Sequence, residues 1–128
     1  MTPVNTIKSL RVALVGPCSS GKTTLASVLK QDGYEVRQVA QEHSYVPDMW
    51  QRISKPDVLV YLDVDYATAR ARRPYIDGGP QRLAEQHQRL QHALQHCDFY
   101  LDTSPLSPTE VEAQVRHFLR EFTNQVPT

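Results

Sequence analysis

The octapeptide Gly16-Pro-Cys-Ser-Ser-Gly21-Lys22-Thr23 constrains this chain more than any other feature. It follows the apolar run Arg11-Val-Ala-Leu-Val15 and opens a segment, Lys22 to Gln31, whose Leu25, Ala26, Val28 and Leu29 recur at helical spacing. It fits G-x-x-x-x-G-K-[ST]. The β-branched run predicts a strand buried on both faces, and Asp32-Gly33 supplies the helix stop. Between such a strand and helix, the N–H groups from Ser19 to Thr23 can converge on an anion, helped by the partial positive charge of the helix start. Gly16, Pro17, Cys18, Ser19, Ser20 and Gly21 then make the backbone of a nucleotide cradle. Lys22 suits the β- and γ-phosphates of ATP, Thr23 suits Mg²⁺, and Thr24 reaches the α-phosphate. The competing reading is a Gly-Ser turn with a chance lysine.

Downstream, Tyr34 to Ala40 reads as a second strand, and Pro47 opens a short helix with Met49, Trp50 and Ile53 as its apolar residues, ended by Lys55-Pro56. Asp57 to Asp63 is the strongest strand pattern. A helix over Tyr66 to Arg73 stops at Pro74, and Pro74 to Pro80 carries the loop signature Asp77-Gly-Gly79-Pro. Gln81 to His96 puts Leu83, Leu90, Leu94 and Cys97 on one face of an amphipathic helix. Asp98 to Asp102 reads as a strand and Glu110 to Phe122 as a last helix. Strands alternating with helices predict an α/β three-layer sandwich: a small parallel sheet of about four strands with helices on both faces.

Several side chains at the carboxyl ends of these strands are candidates for chemistry. Glu42 leaves the second strand beside the loop, placed as a Mg²⁺-water ligand or general base, or simply as a solvated loop acid. His43 can substitute for it or orient it. Asp63 can assist Mg²⁺, while Asp65 is better read as the cap of the next helix. Tyr45 and Trp50 can stack on a substrate, although Trp50 with Met49 and Ile53 fits a core. His92 and His96 share a helix face without a third metal ligand, and with His87 read as exposed.

Composition narrows the classes. The 128 residues suit one domain, 1–128, and 14 Lys+Arg against 14 Asp+Glu argue against a general nucleic-acid or anionic-membrane binder. The longest apolar runs, near Val12 to Val15 and Val58 to Leu62, fall far short of a membrane span, and MTPVNTIKSL lacks a secretory pattern. Two cysteines make no disulfide framework, so the expectation is a cytoplasmic protein. Arg70, Arg72, Arg73, Arg82 and Arg89 form a local basic cluster around Gly79, of which Arg70 and Arg89 read as solvated.

The phosphate loop, Pro56-Asp-Val-Leu-Val-Tyr-Leu-Asp-Val-Asp65 with Ala69-Arg-Ala-Arg-Arg73, and Tyr100-Leu-Asp-Thr-Ser-Pro-Leu-Ser107 together resemble a shortened P-loop kinase of the nucleoside monophosphate kinase and thymidylate kinase kind. The resemblance implies the P-loop NTPase fold with a short lid around 74–82. It further implies that Arg72 or Arg73 stacks on adenine or touches phosphates, that Arg82 descends from the lid onto the transferring phosphoryl group, and that Thr103, Ser104 and Pro105 flank the adenine. Only Gln41 to Pro56 stands where the family holds its acceptor-binding excursion. The implied activity is phosphoryl transfer from ATP, giving ADP, to a small-molecule or nucleotide acceptor. A nucleotide-dependent switch or slow NTPase acting through a protein partner is the alternative, and a binding module that does not use nucleotide is a third class.

Overall fold

Arg11–Val15 forms β1, and its alternation decides the architecture: Val12 and Leu14 face one way, Ala13 and Val15 the other, and all four are buried. A strand buried on both faces must lie inside a sheet covered on both sides. In the computed structural model, which describes residues 10–74 and 78–125, β1 pairs in parallel with β2 (Glu35–Gln38) and with β3 (Val58–Asp63), and β3 pairs in parallel with β4 (Phe99–Asp102). The order β2-β1-β3-β4 puts the loop-bearing strand near the middle.

One face of the sheet packs against α1 (Lys22–Gln31) and α6 (Pro108–Gln125) through Val12, Leu14, Val60 and Leu62 with Leu25, Leu29, Val115 and Leu119. The other carries α2 (Met49–Ser54) and α5 (Gln91–His96), with Trp50, Leu90 and Ala93 over Ala13, Val15, Leu59 and Tyr61. The expected four-stranded parallel sheet with helices on both faces is present. No helix among the described residues is long and apolar enough to cross a membrane.

Local signals explain the element ends. Asp65 caps α3 (Tyr66–Arg72) by accepting from Thr68 N at 2.8 Å. Ser107 and Glu110 form a reciprocal capping box at the start of α6, with Ser107 N to Glu110 Oε1 at 2.8 Å and Glu110 N to Ser107 Oγ at 3.1 Å. Pro108 then occupies the first turn, where its missing N–H costs nothing.

Three expectations require correction. The helix expected over Gln81 to His96 is two helices, α4 (Gly79–Arg89) and α5, meeting at Leu90. No Gly or Pro marks this break. It lets Gln86 turn toward the loop after β1 while Leu90 and Ala93 bury against the sheet. Leu94 is consequently exposed, as is Ile53 on α2. Within the expected lid, Tyr75, Ile76 and Asp77 lie outside the described residues, as do residues 1–9.

Candidate functional site

Gly16 leaves β1 at φ 150°, and a Cβ there would lie 2.0 Å from the Leu62 carbonyl oxygen of the neighbouring strand. Only glycine lets the loop turn this close to β3. Ser19 adopts a left-handed φ of 69°, which helps curl successive N–H groups inward. Lys22, at the start of α1, folds back over the loop: its Nζ donates to Gly16 O, to Pro17 O at 3.2 Å and to Glu42 Oε2 at 3.0 Å.

Glu42 comes from a 3₁₀ turn, Gln41–His43, that follows β2. Gln41 fixes that turn from within. It is fully buried, its Oε1 accepts from Trp50 N at 2.8 Å, and its Nε2 donates to Val46 O at 2.8 Å. Arg89 of α4 adds a hydrogen bond to Glu42 O at 3.3 Å and lies over the Tyr45 ring at 4.7 Å. Arg89 is therefore engaged rather than solvated. Glu42 itself is 5% exposed, and its Oε1 is buried without a hydrogen-bond partner.

A second set of contacts ties the loop to the far side. Arg72 Nη1 donates to Ser19 O at 2.8 Å and Thr103 Oγ1 at 3.0 Å, and its Nη2 donates to Thr103 O at 2.7 Å. Thr103 is buried between Ser20 O and Asp63 O. Beside this junction opens a cavity of about 330 Å³ lined by Thr24, Arg72, Thr103, Leu106 and Val111, with Ser20 and Gly21 at its loop edge. Ser104 faces away from it, bonding Asp102 and accepting from Asp65 N, and Pro105 is exposed.

Between α3 and α4, Arg70, Arg73 and Arg82 border a narrow cleft of about 40 Å³ together with Cys18 and Ser19. Arg82 Nη2 is 3.8 Å from Cys18 Sγ. Gln86, almost fully buried, accepts from Cys18 N at 2.9 Å and sends its Nε2 to Cys18 Sγ at 3.4 Å. Nothing in the sequence pattern singled out Gln86, because a glutamine on a polar helix looks like a solvated one.

Thr23 is exposed and donates to Gln38 Oε1 at 3.0 Å. Asp63 is turned into another network: Tyr100 OH donates to its Oδ2 at 2.6 Å, and its Oδ1 meets His87 Nε2 and Val64 N, each at 2.8 Å. His87 is thus partnered rather than free. Burial first, and then the neighbouring Asp63, push the Tyr100 and Tyr61 phenols above their usual range. Trp50 is core, and its Nε1 donates to His92 Nδ1 at 3.1 Å while His96 Nδ1 bonds His92 O at 2.8 Å. Each contact engages the Nδ1 of its ring, and no Cys, Asp or Glu joins the two histidines in a group able to share an ion among the described residues.

Among the described residues, the one group of three His, Cys, Asp or Glu side chains able to share an ion is Cys18, Glu42 and His43. No protein-family model matches the chain, and neither does any curated protein.

Proposed function

We propose that the chain is an ATP-binding protein of the P-loop NTPase fold, a small kinase transferring the γ-phosphoryl group of Mg-ATP to a small-molecule or nucleotide acceptor. One observation carries the reading: Lys22 is folded over the mouth of a glycine-bounded loop between β1 and α1, beside a cavity wide enough for a base. The loop and Lys22 bind the phosphates, and Arg72, Thr103 and Leu106 accept the base and ribose. Arg73 and Arg82, bordering the same cleft as Ser19, stabilise charge on the transferring group.

Mg²⁺ requires hard oxygen donors. The Thr23 hydroxyl meets that requirement and would hold it with phosphate oxygens, so that the ion screens phosphate charge when bound. Both Asp63 oxygens already have partners, whereas Glu42 keeps one oxygen unpaired; Glu42 is therefore the acid that holds the acceptor's proton. The reading carries a cytoplasmic setting, where ATP is abundant and free Cys18 and Cys97 stay reduced.

The narrowness of the cleft between loop and lid favours a second reading, a nucleotide-dependent switch or slow NTPase acting through a protein partner. About 40 Å³ is well below the roughly 300 Å³ of an ordinary ligand pocket. Following ADP release from Mg-ATP with and without a panel of nucleotides, nucleosides, sugars and small acids separates the two. Acceptor-dependent ADP supports the kinase, and acceptor-independent ADP supports the switch. If wild type and Lys22→Ala both fail to bind ATP by calorimetry, both readings are wrong.

A further inference from the structure

Cys18, Glu42 and His43 converge beside the phosphate loop, each offering one ligand atom, with those atoms within 4.8 Å of one another. Cys18 Sγ is 3.6 Å from His43 Nε2, which is 3.8 Å from Glu42 Oε2. A tetrahedral Zn²⁺ with Zn–S of about 2.3 Å and Zn–N of about 2.0 Å holds its sulfur and nitrogen ligands about 3.6 Å apart. Sulfur and imidazole therefore already stand at ligand spacing.

The acid of this group also carries an unsatisfied oxygen. Glu42 is 5% exposed, and its Oε1 is buried with no hydrogen-bond partner. Leaving a carboxylate oxygen unsatisfied in the interior costs free energy, and a cation is one of the few things that removes the cost. Oε2, the oxygen 3.8 Å from His43 Nε2, also accepts from Lys22 Nζ at 3.0 Å, so an ion on this carboxylate shares it with the lysine. His43 is exposed, which gives an ion a path from solvent.

We propose that Cys18, Glu42 and His43 form a binding site for a borderline-soft divalent ion of the Zn²⁺ type, with three protein ligands and a fourth position open to water. The donor set of sulfur, imidazole nitrogen and one carboxylate separates it from the all-oxygen environment that Mg²⁺ prefers. Binding releases the Cys18 thiol proton as the metal–sulfur bond forms. Because Cys18 belongs to the loop and the other two ligands to the turn after β2, the ion staples these segments together. The site stands without the nucleotide reading, and an ion on Glu42 would occupy the acid that reading uses for the acceptor's proton.

Titration with Co²⁺, in the absence of any nucleotide, tests it on the full chain. The expected result is a one-to-one complex with thiolate-to-cobalt charge-transfer absorption that Zn²⁺ competes away. Cys18→Ala should abolish that absorption, and His43→Ala, at an exposed position, should weaken binding at least about tenfold. Cys97→Ala, altering a cysteine that packs against the core around Trp50 and Leu90 and is not among the three ligands, should leave it unchanged. No sulfur band, a band surviving Cys18→Ala, or unchanged affinity in His43→Ala overturns the proposal. With nucleotide absent, a protein that fails to bind ATP does not alter the outcome.

Discussion

Glu42 Oε2 lies 3.0 Å from Lys22 Nζ, and the two side chains are only 6% and 10% exposed. A buried pair of this kind contributes little beyond a well-packed apolar pair, yet breaking it from one side strands a charge. Lys22 is held by two loop carbonyls and by an acid from a different segment.

Lys22→Met alone should therefore destabilise the fold by about 3 to 5 kcal/mol, because Glu42 is left buried and unpaired. Adding Glu42→Gln should restore most of that loss. Urea denaturation of both single variants and the double variant gives the coupling directly. A loss in the double variant equal to the sum of the two single losses would show that the pair carries no coupling.

Gly16→Ala should cost more than Gly33→Ala. Both positions have positive φ, 150° and 99°, but nothing lies within 4 Å of a Cβ built on Gly33, whereas one on Gly16 meets the Leu62 backbone at 2.0 Å. Gly33→Ala should cost about 1 to 2 kcal/mol of conformational strain. Gly16→Ala should exceed it and also shift the β1 and β3 amides in NMR spectra. Comparable losses for the two would mean that the loop has room to move away from β3.

How much of this was legible in the sequence depends on how local the cause was. The continuous apolar runs of β1 and β3, the loop spacing and the Asp65 cap are short-range patterns, and each stands where the sequence indicates. The break at Leu90 was not legible, because it arises from two different surfaces pulling on one polar helix. By sequence Asp63 looks like an acid able to assist an ion, since no pattern announces that Tyr100 and His87 arrive from distant segments to occupy it. Gln41 and Gln86 hold the site together through hydrogen bonds to backbone atoms, which leave no periodicity to detect.

Stability should fall on the alkaline side through Tyr61. Its phenol is pushed up by burial, with Asp63 adding to the effect, so the folded protein keeps a proton that the unfolded chain gives up near about pH 10. The stabilisation from this group is fully present below that pH and is lost progressively as pH rises above it. Tyr61→Phe should flatten the decline, seen in denaturation midpoints measured from about pH 8 to pH 11. An unchanged slope in Tyr61→Phe would assign the alkaline limb to other groups.

The Gln86 amide both accepts from the Cys18 backbone N–H and donates to the Cys18 sulfur. One side chain of α4 thus holds a loop residue at two points, and withdrawing the helix breaks both bonds in the same movement. Whatever displaces α4 also frees the loop, so the two cannot move independently.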